Sequence, residues 1–252
     1  MPKFKFRLFD SDKIIILLVL IQAISSSITV LLPWGPIRPD NALPDLPPWA
    51  LAVISGLFVL FIYNVLGIIG NRLSVKLQFR EIKKTDFTNL VLHLRPIFWG
   101  IALGISFIFV DQIVGRTHGM LFLPHPPFPT SLFASLSAAI GEEIIFRLFL
   151  VSLLYRLFLW ISRERWKAEC FFLAAAISAI AFSYGHLPSV LYFLKLQTIS
   201  EIPSHILMEI FLLNSLLSLP AAYMMKNSGF LAAVTLHLSA DFIWHVVYGY
   251  FL

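Results

Sequence analysis

Residues 141–150 read GEEIIFRLFL, and they place two adjacent acids and an arginine inside an otherwise apolar run. A charged side chain at the centre of a bilayer costs roughly 2.5 to 3.5 kcal/mol even on the gentlest insertion scale. If this stretch crosses a membrane, Glu142, Glu143 and Arg147 therefore need a local partner or a functional reason to be there.

The composition indicates a polytopic membrane protein. Of the 252 residues, 58% are hydrophobic and 13% are charged, and the mean hydropathy is +0.83. The apolar residues are gathered into long runs separated by short polar or proline-rich joints, which is typical of a membrane protein and not of a soluble core. The single Cys170 excludes an intrachain disulfide and supplies too little thiol for a structural zinc or iron–sulfur site.

Seven segments approach or exceed the roughly 20 apolar residues that a membrane-spanning helix needs. They are Ile14–Leu32, Trp49–Gly70, Pro96–Val114, Ser131–Ile161, Cys170–His186, His205–Met225 and Gly229–Leu252. The sequence therefore predicts an all-α integral membrane protein with seven or eight transmembrane helices. The charged residues within the spans predict a polar intramembrane cavity between the helices that carry them.

The basic residues predict the orientation in the membrane. One set of joints carries most of them: Lys3, Lys5, Arg7, Lys13, Arg72, Lys76, Arg80, Lys83, Lys84, Arg95, Arg163, Arg165, Lys167 and Lys226. The alternate joints carry only Arg38, Arg116 and Lys195. Because cytoplasmic loops concentrate Lys and Arg, we predict a cytoplasmic N-terminus. The formal charge of +5 then reflects topology and contact with anionic lipid headgroups, and it predicts no nucleic-acid partner.

Helical spacing predicts which buried charges meet. Residues four apart share a helix face, so Glu143 can pair with Arg147, and this pairing lowers the cost of burying both. Glu142 is rotated by about 100° from Glu143 and is left without an obvious local partner. On the last span, His237 and Asp241 form another pair of this spacing, and His245 extends the same stripe.

His186 is the remaining candidate. Pro188 disfavours helix at the residue before it, so we expect His186 at or near the end of a helix. Counted along their helices, Glu142 lies roughly 16 Å and Asp241 roughly 18 Å from the entry residue, and both positions fall near mid-membrane. Three helices can then bring a carboxylate, two imidazoles and an aspartate to one pocket.

Two mechanisms of water activation fit such a pocket. His186, His237 and Asp241 can hold zinc, which would activate a bound water, with Glu142 as general base. Alternatively, Glu142 activates water without a metal, and the imidazoles hydrogen-bond the developing oxyanion. Both versions predict hydrolysis of a carbonyl compound inside the membrane.

Three motifs resemble the CPBP family of intramembrane endopeptidases, the CAAX-protease and bacteriocin-processing group. EEIIFR (142–147) is similar to the EExxxR motif, FSYGH (182–186) to FxxxH, and HLSAD (237–241) to HxxxN/D. They occur in the family's order on successive spans. The resemblance implies a division into an N-terminal membrane part with three transmembrane helices (1–130) and a catalytic core (131–252).

The resemblance also implies the residues' roles. Glu142 would be the water-activating base, and Glu143 and Arg147 its supporting ion pair. His186, His237 and Asp241 would position water, bind a metal or stabilise the oxyanion. The chain departs from many members at two positions: Leu148 stands where Gly is common, and Asp241 stands where Asn is common. The missing Gly predicts tighter helix packing beside the site.

The function predicted from these features is hydrolysis of a peptide bond near or within the bilayer. The substrate would be a membrane-embedded or lipidated peptide or protein, as in CAAX-type processing. Two alternatives remain: a non-catalytic scaffold or immunity protein of the same fold, and, less favoured, a proton-coupled transporter, which would also use buried Glu, His and Asp. With no organelle-targeting segment apparent, the expected location is a prokaryotic plasma membrane. Neither the substrate nor the oligomeric state follows from the sequence.

Overall fold

The computed structural model describes residues 9–35, 46–118 and 123–252, and every regular element within them is helical. Seven helices are long and apolar enough to span a membrane. They are α1 Asp10–Leu31, α2 Pro48–Lys76, α3 Leu90–His118, α4 Thr130–Ile161, α5 Lys167–Leu194, α6 Ser204–Ser228 and α7 Phe230–Tyr248. Short 3-10 turns occupy Lys84–Phe87 and Ile199–Glu201. The predicted all-helical integral membrane fold is confirmed, whereas Lys3, Lys5, Arg7 and Arg38 lie outside the described residues.

The expectation that His186 ends its helix is wrong. Helix α5 continues through Pro188 to Leu194, so His186 lies well inside it. The last turns of α5 are held by apolar packing, because Leu187 is 1% exposed and forms a buried cluster with Ile206 and Ile210 of α6. Neighbouring helices can support a transmembrane helix through a proline in this way.

Two stretches of π-helix begin directly after two of the candidate site acids. In α4 the π-helical stretch is Glu143–Val151, and in α7 it is Phe242–Tyr248. The wider turn of a π-helix leaves some backbone carbonyl groups free to accept hydrogen bonds from other helices. In α4 the carbonyl of Phe146 accepts one of 2.7 Å from the hydroxyl of Ser178 on α5. Such departures from α-helix occur frequently at functional sites.

Close packing of α3 against α7 fixes the position of the last helix. A Cβ built on Gly104 would lie 2.7 Å from the carbonyl oxygen of Ala240 and 2.7 Å from the Cβ of Ile243, and Gly100 lies equally close to the backbone of α7 one turn earlier. Small residues four apart let two transmembrane helices approach at backbone distance. The segment of α7 that carries His237 and Asp241 is therefore held directly against α3.

Helices α1 and α2 pack against α4 on its other side. The buried core is continuous from Ile15 of α1 through Val59 of α2 to Ile144 of α4. At Leu148, a Cβ on Gly70 of α2 would lie 2.7 Å from the carbonyl group of the α4 backbone. Helix α2 therefore lies at backbone distance from α4 beside the EEIIFR motif. The division at residue 130 stays a prediction.

The glycine contact predicts a contrast between two substitutions. Gly104→Ala places a methyl group against the α7 backbone, and we expect a loss of about 1–3 kcal/mol in the free energy of unfolding from overpacking. Gly185→Ala in α5 meets only the ring edge of Phe146 at 3.4 Å, so it should be neutral or stabilising. Thermal unfolding of both purified variants in detergent tests this, and equal midpoints would contradict the proposed α3–α7 contact.

Candidate active site

A cavity of about 280 Å³ lies between α4, α5, α6 and α7. Its walls are mostly apolar, and the polar side chains are few and converge on one side, as is usual for ligand sites. The polar lining residues are Glu142, His186, Ser189, Asn214, His237, Asp241 and His245. The structure therefore brings the predicted Glu142, His186, His237 and Asp241 to one cavity, and it adds Ser189, Asn214 and His245.

His237 is the centre of the polar group. Its Nδ1 lies 2.9 Å from Oε1 of Glu143 and hydrogen-bonds it. Its Nε2 faces two further carboxylates, with Asp241 Oδ2 at 3.5 Å and Glu142 Oε2 at 3.7 Å. The imidazole is 2% exposed, so its orientation is set by these acids and not by solvent. Carboxylates bonded to one ring nitrogen fix which nitrogen is presented to the cavity.

Glu143 and Arg147 lie behind this group and do not line the cavity. Both side chains are fully buried, and Nε of Arg147 lies 3.4 Å from Oε2 of Glu143. The guanidinium stacks over the ring of Phe182 with its carbon 4.1 Å from the centroid, a cation–π contact that supports the charge where water is excluded. The predicted ion pair is therefore present, and Glu143 also bonds His237, which the spacing did not indicate.

His186 is oriented by its own helix. Its Nδ1 lies 2.8 Å from the carbonyl oxygen of Phe182, one turn earlier, and Nδ1–H donates to that oxygen. The imidazole also packs edge-on against the Phe182 ring, with centroids 4.7 Å apart. Because Nδ1 is occupied, Nε2 is the nitrogen left to face the cavity. Phe182 thus serves both Arg147 and His186, which gives the first residue of the FSYGH motif a physical role.

Glu142 differs from Glu143 in exposure. Its side chain is 29% exposed, through the cavity, whereas Glu143 is not exposed at all. Two neighbouring acids on one helix therefore occupy two environments. The first faces space that a water molecule can enter, and the second is enclosed between Arg147 and His237.

Sequence reasoning missed His125, which lies in the proline-rich joint before α4. Nδ1 of His125 lies 2.9 Å from Nδ1 of His245, and its ring packs against Trp244 with centroids 4.7 Å apart. Burial, and then the proximity of His245, lowers the pKa of His125 to about 3, so the ring is neutral at physiological pH. The available signal was a histidine between prolines in LPHPPFPT (123–130) together with the stripe of His237, Asp241 and His245.

The predicted zinc set can be compared with this geometry. Within residues 9–35, 46–118 and 123–252, no three His, Cys, Asp or Glu side chains lie close enough together to hold a metal ion. The Nδ1 atoms of His186 and His237 are bonded to protein oxygens, which leaves Nε2 of each ring as the possible metal ligand. Within the described residues, however, these nitrogens and Asp241 do not lie close enough together to form a metal-binding set. The donors of the described residues are not arranged to hold zinc, and the choice between the zinc and the glutamate mechanism stays a prediction.

Comparison with known proteins finds one family model that matches the second half of the chain. A family model described as type II CAAX prenyl endopeptidase Rce1-like matches residues 124–243. That range contains all three motifs, so the predicted resemblance to the CAAX-protease group is confirmed over the part of the chain that carries Glu142, His186, His237 and Asp241. No curated protein and no solved structure matches the chain.

The two adjacent acids should behave differently when neutralised. Glu143→Gln leaves the buried Arg147 charge without its partner, and we expect a loss of about 3–5 kcal/mol in the free energy of unfolding. Glu142→Gln should change stability little, because its carboxylate faces the cavity. Thermal unfolding in detergent provides the measurement.

A double variant provides the control. Glu143→Gln combined with Arg147→Met removes both charges and should recover most of the lost stability, since a buried ion pair is often replaceable by apolar side chains. Equal stability of the two single variants at 142 and 143 would contradict the supporting role of Glu143.

Proposed function

We propose that this protein is an intramembrane endopeptidase in which Glu142 activates water. The observation that carries the proposal is the separation of 3.7 Å between Oε2 of Glu142 and Nε2 of His237 at the wall of a cavity enclosed by apolar helices. A carboxylate beside an imidazole, both reaching the same space, is suited to general acid–base chemistry on water. The family match supports a membrane-bound endopeptidase as the class of enzyme.

The imidazole orientations assign roles. With Nδ1–H of His186 donated to Phe182, Nε2 of the neutral ring accepts a hydrogen bond from the attacking water. Glu142 takes the other proton of that water as oxygen adds to the peptide carbonyl carbon. Protonated His237, held at Nδ1 by Glu143, donates from Nε2 to the oxyanion. Glu142 then returns its proton to the amide nitrogen as the C–N bond breaks.

Asp241 acts on His237 and not on water in this proposal. Its Oδ2 lies 3.5 Å from Nε2 of His237, close enough to attract the proton there and to keep the ring turned toward the cavity. Glu143 and Arg147 are positioning residues, because neither lines the cavity. The substrate would be a membrane-anchored or lipidated peptide, since the catalytic residues lie between membrane-spanning helices.

Removal of the Glu142 carboxylate should abolish cleavage without unfolding the protein. We expect Glu142→Gln and His237→Ala to lower the cleavage rate by about 10²–10⁴-fold, the usual contribution of general acid–base catalysis. The assay is purified protein in detergent, incubated with a farnesylated CAAX peptide and a panel of membrane-anchored peptides and analysed by mass spectrometry.

Glu169→Gln is the matched control, because Glu169 is an exposed acid in the first turn of α5, and it should retain full activity. Cleavage that persists in Glu142→Gln would remove Glu142 from the mechanism. Binding of a peptide by the unmodified protein with no cleavage of any peptide in the panel would favour the scaffold interpretation over the enzyme.

We propose the glutamate mechanism over zinc because the donor arrangement does not fit a metal. Activity is therefore expected to survive dialysis against a strong chelator, with less than stoichiometric zinc in the purified protein by elemental analysis. Stoichiometric zinc that is lost in His186→Ala and His237→Ala, together with chelator-sensitive activity, would establish the metal version instead.

A further inference from the structure

His125 lies in a segment whose backbone has little conformational freedom. It stands between Pro124 and Pro126, whose rings fix φ on both sides of the histidine. A residue that precedes proline is also restricted to extended conformations. The segment is anchored to α3, because the backbone N–H of Leu123 donates a hydrogen bond of 2.9 Å to Oδ1 of Asp111. The backbone therefore holds the His125 side chain in one position.

That position lies against the C-terminal end of α7. The imidazole of His125 packs edge-on against the rings of Trp244 and Tyr248, with centroids 4.7 and 5.7 Å away, and those two rings stack on each other. Gly249 makes room for it, since a Cβ there would lie 2.8 Å from the Cβ of His125. Nδ1 of His125 lies 2.9 Å from Nδ1 of His245. Three side chains and a glycine at one helix end therefore surround this imidazole.

The hydrogen bond between the two imidazoles assigns their protons. Burial, and then the proximity of His245, lowers the pKa of His125 to about 3, so this ring is neutral and carries a single N–H. Nε2 of His125 is buried and has no hydrogen-bond partner within the described part of the chain. Buried backbone N–H groups go unpaired less often than acceptors do, and the same preference places the single proton on Nδ1. His125 therefore donates from Nδ1 to Nδ1 of His245.

His245 then presents an N–H to the cavity. Because Nδ1 accepts from His125, the proton of the His245 ring lies on Nε2. His245 lines the cavity, and within the described residues the bond to His125 is its one side-chain hydrogen bond. The family match ends at residue 243, so it assigns His245 no role. The proposed hydrolysis does not use this donor either.

The position of His245 on α7 places the donor at a distance from the reacting bond. His245 follows His237 by eight residues, which is roughly 12 Å along a helix that rises 1.5 Å per residue. An extended peptide advances about 3.3 to 3.6 Å per residue, so a peptide lying along α7 covers this distance with about three residues. Each peptide residue offers a backbone carbonyl as acceptor.

We propose that His245 is a substrate-binding residue whose Nε2–H donates a hydrogen bond to a backbone carbonyl of the bound peptide, about three residues from the scissile bond. His125 is the positioning residue, because its bond to His245 fixes the proton and the orientation of that ring. This proposal rests on the proposed endopeptidase function. It adds a requirement for peptide length on one side of the scissile bond, since a shorter peptide does not reach His245.

Peptide binding tests this contact without cleavage. Binding of a fluorescein-labelled, farnesylated CAAX peptide is measured in detergent with Glu142→Gln protein, alone and combined with changes at residue 245. His245→Ala should weaken binding by about 2- to 12-fold, the range for one neutral hydrogen bond. His245→Gln should bind nearly as the parent does, because its amide can donate from the place of Nε2. The amide of His245→Asn reaches only the place of Nδ1, so this variant should resemble His245→Ala.

Changes at residue 125 test the positioning role. His125→Asn keeps an N–H at the place of Nδ1 and should preserve the affinity, whereas His125→Leu should lower it to the level of His245→Ala. The double variant His125→Leu, His245→Ala should show no further loss. Val247→Ala is the matched control, because Val247 lies in the same stretch of α7 with its side chain 38% exposed, and it should bind as the parent does. Thermal unfolding of each variant identifies any loss of fold.

Ester substitution locates the contact on the peptide. Replacing one amide at a time by an ester weakens one carbonyl acceptor, and the ester about three residues from the scissile bond should raise KM for the native protein but not for His245→Ala. The kcat of both proteins should stay unchanged, because the contact is made equally in the ground and transition states.

The outcomes separate this proposal from the proposed function. Unchanged affinity in His245→Ala, or equal effects of every ester on the two proteins, would overturn the role of His245 while cleavage that depends on Glu142 still stands. Binding that depends on His245, with no cleavage by the native protein, would support the contact and remove the proposed enzyme. A peptide panel that is neither bound nor cleaved would overturn both.

Discussion

The arrangement of α4, α5 and α7 depends on the free-energy cost of burying charged side chains within the membrane. Glu143 lowers this cost for itself, Arg147 and His237, because one of its carboxylate oxygens faces Arg147 and the other hydrogen-bonds His237. The Arg147 guanidinium is also covered by the ring of Phe182. Glu143 and Arg147 lie on α4, Phe182 lies on α5 and His237 lies on α7, so these contacts also fix how the three helices pack against one another. The catalytic geometry proposed for Glu142 and His186 follows from that arrangement, since both side chains lie at its edge.

Much of this organisation could be predicted from the sequence because its causes are local. The apolar runs gave the seven spans, and a spacing of four residues gave the Glu143–Arg147 and His237–Asp241 pairs. Separation of Glu142 from Glu143 around the helix axis also indicated that one acid would be left for the cavity. These features depend on helix geometry and on the membrane, and neither requires knowledge of which helices are neighbours.

The remaining features depend on contacts between distant segments. Pro188 is compatible with helix only because Leu187 and the turns after it pack against α6, which a local rule cannot anticipate. The π-helical stretches after Glu142 and Asp241, the bond between Glu143 and His237, and the position of His125 over Trp244 likewise follow from packing between helices. The close contact between Gly70 and the backbone at Leu148 also joins two helices that are far apart in the sequence.

The bond from Glu143 to His237 joins residues 94 positions apart, and His237 belongs to α7, which is synthesised after α4. A ribosome adds residues from the N-terminus, so α4 enters the membrane well before α7 is available. During that interval the nascent chain carries Glu142 but neither the imidazole of His237 nor the aspartate that turns it. The pocket proposed for hydrolysis is therefore assembled only when α7 inserts beside α4.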